Sequence, residues 1–335
     1  MSLSLSRPRI LLAFSNDYDN KLQFFSSPDH NSSLPLPSSM VALKDSTLTM
    51  PQVGRDIVQR NSVRGFVCCS LSGTFVVYNP TTRQVISLPE HPETFFNFIH
   101  EFHQCHVFLG YDPSKDQYKV LRLDMFMRFT EHSVCTLGGR LSCNSWRSIQ
   151  SNIRDCGRSK YNGICIDGVV YFEAPRNYNS RMTVSSFDVG SEQLRLIKTP
   201  EDCCGVLTNY LGKLAAYDNS SENSGCFNLW VLDDVKNQVW SKRVLVLDSW
   251  ILRMSFAGVT AAGEVIYVPC TYRGEPNFEI YCYNVEKKVG RSVRVEGLVA
   301  TEAYWPSGSL YMICLHMKAS RLRLCVFVMG PEPML

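Results

Sequence analysis

No stretch of this 335-residue chain approaches the ~18 consecutive apolar residues of a membrane-spanning helix. The apolar run near its start, Ile10 to Phe14, is too short for the core of a secretory signal. A membrane is therefore not expected as a partner. Charge is also sparse: Asp, Glu, Lys and Arg make up 19% of residues, the formal net charge is +3, and the two signs are interleaved. No long basic stripe of the kind a phosphate backbone requires is present, which argues against nucleic acid as a partner. The chain also lacks Gly-x-x-x-x-Gly-Lys-Ser/Thr, Gly-x-Gly-x-x-Gly and Gly-x-Ser-x-Gly, so it has neither a phosphate cradle nor a nucleophile elbow. No segment of about 12 residues or more carries a 3.6-residue apolar period, so long amphipathic helices are not expected.

Hydrophobic residues reach 45%, enough for a sizeable core and inconsistent with a disordered chain. The 14 cysteines fall largely inside strand-like runs (Cys68, Cys69, Cys165, Cys282, Cys314, Cys325). With no secretory signal before them, they read as buried reduced thiols of a cytoplasmic or nuclear protein.

The most informative stretch is Arg64 to Pro89, RGFVCCSLSGTFVVYNPTTRQVISLP. Phe66–Cys69, Thr74–Tyr78 and Val85–Ser87 alternate with the turn formers Ser72-Gly73 and Asn79-Pro80-Thr81-Thr82, which predicts an antiparallel meander of three strands. The scheme recurs from about residues 107, 163, 206 and 256, as VFLGYDPSKDQYKVL, GICIDGVVYF, VLTNYLGKLAAY and FAGVTAAGEVIYV. A spacing of roughly 40 to 55 residues lies in the range of propeller blades. The predicted architecture is all-β, a kelch-like β-propeller of about six blades, with seven as the alternative. The last blade would combine C-terminal strands with Arg9 to Ser26 and so close the ring. Pro28 to Pro51 reads as a surface excursion, and His91 to His106 as a long connection.

Taken together, GFVCC, FVVYNPTTRQVISLP, FLGYDPSKDQYKVL, GICIDGVVYF, SSFDVGSEQLRLI, LTNYLGKLAAY, LWVLDDVKNQVWSK and GEVIYVPC resemble the F-box-associated domain, type 3, of plant F-box proteins. The resemblance runs in order over most of the chain. It implies a non-enzymatic protein-interaction module like the substrate-recognition part of a Skp-cullin-F-box ubiquitin ligase. Family members usually carry an F-box upstream; here only six residues precede Arg7. The expected division is residues 1–8 as a remnant N-terminal segment without an F-box, residues 9–328 as the propeller and residues 329–335 as a tail. A Skp-type adaptor and cullin would be partners only if the full gene product contains an F-box, and an unknown target protein would meet the propeller loops. The alternatives are a carbohydrate- or small-molecule-binding propeller, or a scaffold or non-functional paralogue that has lost its ligase link.

Candidate chemistry is thin. His100, His103, Cys105 and His106 are ligand types for zinc, but they lack paired ligand spacing and sit in an expected connection, so neither a metal nor a cofactor is expected. Asp112, Asp167, Asp188, Asp218, Asp233 and Asp234 follow apolar strands and read as turn formers rather than catalytic carboxylates. Trp146, Trp230, Trp240, Trp250 and Trp305 read as blade core. No catalytic residue is assigned. Partner contacts are expected on the loops Asp124 to His132, Pro175 to Arg181, Asn219 to Gly225 and Thr271 to Asn277, which carry Arg, Asn and Tyr.

Overall fold

The structure is a computed structural model. It describes residues 9–16, 21–28, 39–41, 43–49, 57–71, 74–89, 104–125, 130–138, 145–151, 163–173, 182–203, 205–218, 225–248, 250–251, 254–269, 278–297 and 322–329.

Six sheets organise the described strands. The first blade is built from both ends of the chain: β25 (Leu322–Met329) pairs with β1 (Arg9–Asn16), followed by β2 (Lys21–Pro28) and β4 (Leu43–Thr49). The second runs β5 (Ile57–Val63), β6 (Phe66–Leu71), β7 (Thr74–Asn79), β8 (Gln84–Ser87). The third runs β9 (Gln104–Asp112), β10 (Gln117–Met125), β11 (Thr130–Thr136), β12 (Arg147–Ser148). The fourth comprises β13 (Gly163–Ile166), β14 (Val169–Glu173), β15 (Thr183–Asp188) and β16 (Leu194–Lys198). The fifth comprises β17 (Val206–Tyr210), β18 (Lys213–Asp218), β19 (Cys226–Asp234) and β20 (Val239–Val246). The sixth comprises β21 (Met254–Val259), β22 (Glu264–Pro269), β23 (Phe278–Asn284) and β24 (Val289–Glu296), and takes β3 (Ser39–Val41) as an added fifth strand.

The first strands of successive blades touch in order, β25 with β5, then β9, β13, β17, β21 and back to β25. The ring is therefore closed, and closure by terminal strands is as the repeat predicts. Six sheets match the expected count of about six; a seventh has no counterpart among the described residues.

Blades pack face to face through aromatic and branched side chains. Between the third and fourth, Phe108 stacks on Phe172 at 4.8 Å; between the fifth and sixth, Tyr217 stacks on Phe256 at 4.1 Å. Each such ring contributes about 1.5–3 kcal/mol by leaving water. Gly163 allows the approach, because a Cβ there would come within 2.3 Å of the Phe108 ring. Polar staples add direction. Asn61 on β5 donates to the Leu109 carbonyl at 2.7 Å and accepts from the Leu109 N–H at 3.0 Å, so one amide stands in for a strand pairing between the second and third blades. Trp146 donates its indole N–H to the Pro89 carbonyl at 2.7 Å, and Trp240 donates likewise to the Lys198 carbonyl at 3.0 Å. Each tryptophan ties its blade to the chain at the end of the preceding outer strand.

Two turn designs recur. Arg64-Gly65, Asp167-Gly168 and Leu211-Gly212 have positive φ at both positions, the backbone of a two-residue hairpin turn whose twist suits its strands. The longer turns open on an Asx residue and close on a left-handed one. Asn79, Asp112, Asp188, Asp234 and Asn284 each accept a backbone N–H two or three residues on. Arg83, Asp116, Glu192, Gln238 and Lys288 carry the positive φ.

Several expectations are corrected. The meander at Arg64 to Pro89 is the second to fourth strands of its blade, preceded by β5, whose sequence IVQRNSV is too polar to announce a strand. Pro28 to Pro51 is not only an excursion: it contains β3 and β4, and Met40 is buried. The end of His91 to His106 is strand, since β9 starts at Gln104. Asp124 and His132, taken as loop bounds, lie within β10 and β11 and are buried. Cys68, Cys105, Cys165, Cys203, Cys226 and Cys282 are free, whereas Cys135 is disulfide-bonded, to a partner outside those six. The runs around Trp305 and Cys314 lie outside the described residues.

Candidate functional site

Antiparallel pairing sorts each blade's connections between the two ends of the ring. Turns from first to second and from third to fourth strand share one end; turns from second to third strand, and passages between blades, share the other. The first end is short and cross-linked. The Arg64 guanidinium lies 4.2 Å over the Tyr111 ring, and the Tyr111 hydroxyl donates to Asp116 at 2.5 Å. Lys119, on β10, donates to the Val189 carbonyl at 2.7 Å and to Glu192 at 2.9 Å, while Arg147 reaches the same carboxylate with bonds of 2.8 and 2.6 Å. Burial pushes Glu192 up, but the hydrogen bonds from Arg147 and Lys119 outweigh it and hold the carboxyl below its ordinary value. Lys213 pairs with Asp233 at 2.7 Å, and Leu211 packs over Gly263 of the next blade. At this end Arg64, Lys119, Arg147 and Glu192 hold neighbouring blades together, while Lys213 and Asp233 join strands of one blade.

The opposite end carries the longer connections. Residues 126–129, 174–181, 219–224 and 270–277, which hold most of the loops expected to meet a partner, lie outside the described residues. The strand ends that flank them, Met125 and Thr130, Glu173 and Met182, Asp218 and Gly225, Pro269 and Phe278, all belong to this end by the strand order. Beneath it lies a set of buried polar side chains. Arg122, Asp124, His106, His132, Glu173, Asp218 and Asn228 are all buried.

The centre of that layer is the Arg122–Asp124 pair on β10, with Nε to carboxylate at 2.6 Å and a terminal nitrogen at 2.8 Å. The guanidinium lies 6.0 Å from the Phe75 ring and 5.8 Å from the Trp146 ring, so it is held between the second and third blades. Asp124 stands opposite Cys105 across the β9–β10 ladder. Burial first, and then the Asp124 charge, push the Cys105 thiol well above its ordinary value. Such a thiol is protonated and a poor nucleophile. Burial also pushes His132 down to about 4, against the pull of Asp124, so this imidazole is neutral at neutral pH.

Of the histidine-rich run, Cys105 and His106 are consecutive on a strand and face opposite ways; His100 and His103 lie outside the described residues. Among the described residues no group of three or more His, Cys, Asp or Glu is arranged to hold a metal ion. Asp112, Asp188 and Asp234 are turn formers, as expected. Asp112 is buried as it caps its turn, and Asp218 is buried at the end of β18, at the loop-bearing end. Sequence reasoning passed over Arg122 and Asp124, although opposite charges two apart inside the apolar strand LRLDM were a usable signal.

A closed ring of six antiparallel sheets, with short cross-linked turns at one end and the longer connections leaving from the other, is a β-propeller. The chain belongs to the F-box associated beta propeller domain family, whose family model matches residues 9–325. An F-box protein of Arabidopsis thaliana is 37% identical over 333 residues, covering 90% of this chain and 81% of the relative. A second F-box protein of that plant is 33% identical over 326 residues, covering 91% and 76%. An F-box/kelch-repeat protein, also from Arabidopsis thaliana, is 29% identical over 334 residues, covering 89% and 77%.

Proposed function

We propose that this chain is a non-enzymatic target-recognition module, serving as the substrate-selecting part of a Skp-cullin-F-box ubiquitin ligase in the cytoplasm or nucleus. Membership of the F-box associated propeller family carries the reading. The geometry supports it: the buried charges of Arg122 and Asp124 are spent on each other, while the longer connections leave from one end of a closed frame. Division of the chain into a propeller over residues 9–328 with short flanking segments belongs to the same proposal. The adaptor and cullin would join through an F-box in the gene product, and the target would meet the loop-bearing end.

The test is affinity purification of the product of the longest native transcript from plant cells. Recovery of a Skp-type adaptor and cullin is expected, with ubiquitylated proteins that disappear when residues 174–181 and 219–224 are replaced by Gly-Ser linkers. A product that carries an F-box yet brings down no adaptor would sink the ligase role.

A further inference from the structure

The first blade lacks a turn that the other blades have. In those, the end of the first strand and the start of the second are joined by an inner turn at the cross-linked end, as Arg64-Gly65 joins β5 to β6 and Leu211-Gly212 joins β17 to β18. In the first blade the same two places are Met329 and Arg9, which stand opposite each other in the ladder between β25 and β1. Both ends of the propeller chain therefore leave it side by side, from the cross-linked end. The strand order puts the longer connections at the other end.

The chain covers 81% and 76% of two relatives, so each relative has further length outside the matched part. Whether an extension is joined ahead of Arg9 or behind Met329, it starts from the same place. Residues 1–8, fully extended, bridge at most about 28 Å. Passing around the outside of the first blade takes about 10 Å across two strand spacings and then about 26 Å along a strand as long as β1. The link is too short for that path, so a folded extension is held at the cross-linked end.

That end also offers an apolar seat. Eight non-glycine residues among those described have positive φ, and Leu211, at 52°, is the one with an apolar side chain. The left-handed region is costly for a residue with a Cβ, and the equivalent position of the fourth blade is filled by Asp167. Leu211 nevertheless keeps 49% of its surface exposed and lies over Gly263 of the sixth blade. The turn that ends at Gly263 continues the surface with exposed Ala261 and half-buried Ala262, and the strand before it, β21, touches β25. A small apolar stretch thus runs from the fifth blade to the neighbour of the blade that releases the chain ends.

We propose that the cross-linked end, at Leu211, Ala261 and Ala262, seats the F-box-bearing extension of the full gene product, so that the Skp-type adaptor stands on the end opposite the target loops. This rests on the ligase reading and specifies its geometry. A target held at the loop-bearing end then faces away from the adaptor, separated from it by the height of the ring, about 26 Å.

The experiment places the photoreactive residue p-benzoylphenylalanine at Leu211, at Ala261 or at Trp250 in the full gene product, co-expressed with a Skp-type adaptor, and identifies the cross-links by mass spectrometry after irradiation. Trp250 is 46% exposed and lies between β20 and β21 at the loop-bearing end. Capture of the extension or the adaptor from Leu211 or Ala261 is expected to exceed capture from Trp250 at least tenfold. Leu211→Asn keeps a residue that tolerates the left-handed region and removes the apolar contact. It is expected to cut the Ala261 cross-link at least fivefold with an unchanged urea midpoint; an unchanged cross-link would overturn the apolar seat. Equal or greater capture from Trp250, or no capture at the cross-linked end from a product that brings down the adaptor, would overturn the proposal and leave the ligase role standing. Cross-links from Leu211 to a second copy of the chain, or a full product with no extension at either end, would overturn it as well. An F-box-bearing product that brings down no adaptor sinks the ligase role and this geometry with it, so the two failures are read separately.

Discussion

His132 sits on β11 under the loop-bearing end, 6% exposed. Its folded value of about 4 lies below the ordinary 6.5. Between these pH values the unfolded chain takes up a proton that the folded chain refuses. Stability from the neutral imidazole is therefore complete above pH 6.5 and falls as the pH drops toward 4, by about 3 kcal/mol in full. Glu192 behaves differently: its carboxyl is held below 4.5, so its contribution is lost only at lower pH. Urea midpoints measured between pH 7 and 4.5 are expected to decline in the native chain and to stay nearly level in His132→Gln. A decline of equal size in the variant would place the proton uptake elsewhere. None of this could be read from the sequence, since T-E-H-S-V gives a half-polar pattern and the burial of the ring arises only in the folded chain.

At the scale of elements, turns were the most legible part. An Asx side chain makes its bonds to backbone two or three residues away, so the relevant partners are local and sit in the same window of sequence. The left-handed closing residue is a cost the chain accepts at several of these turns. Lys288, at φ 56°, is exposed and its N–H donates to the Asn284 carbonyl at 2.9 Å. Lys288→Gly keeps that bond and relieves the conformation, and is expected to raise stability by about 0.5–1 kcal/mol. Gln238→Gly at the equivalent place is expected to gain less or to lose, because the Gln238 side-chain amide oxygen, Oε1, accepts from the Lys198 N–H at 3.1 Å and is removed with the side chain. Thermal melts of the two variants check both. Strands without local signals were missed. β5 hides behind Gln59, Arg60 and Asn61, because Asn61 is satisfied by a backbone 48 residues away, and β3 is a three-residue strand defined by its contact with β24.

The whole molecule is held by the joining of its two ends. Every residue of β1 pairs with β25, from Arg9 opposite Met329 to Asn16 opposite Leu322, and β25 also touches β5 and β21. Removing residues 322–335 would leave the inner edge of the first blade unpaired and open the ring. The loss is expected to rival the entire stability of a domain, about 5–15 kcal/mol, and to appear in size-exclusion chromatography as aggregation through the exposed edge. A synthetic peptide of residues 322–335 added during refolding should restore monomer; unchanged melting of the truncated chain would show that closure contributes little.

By itself the sequence determined the class of structure: short alternating runs punctuated by Asx, Pro and Gly can form little else than a repeated antiparallel meander, and the period sets the blade count. It also carried the family, because that signal is spread over linear motifs such as NPTTRQ and GYDP. Only the tertiary structure decided which polar residues are buried, which end is stitched and which bears loops, and which outer edge is covered. Those properties depend on pairings between residues tens to hundreds of positions apart, such as Arg9 with Met329, and no local pattern of side chains encodes such a distance.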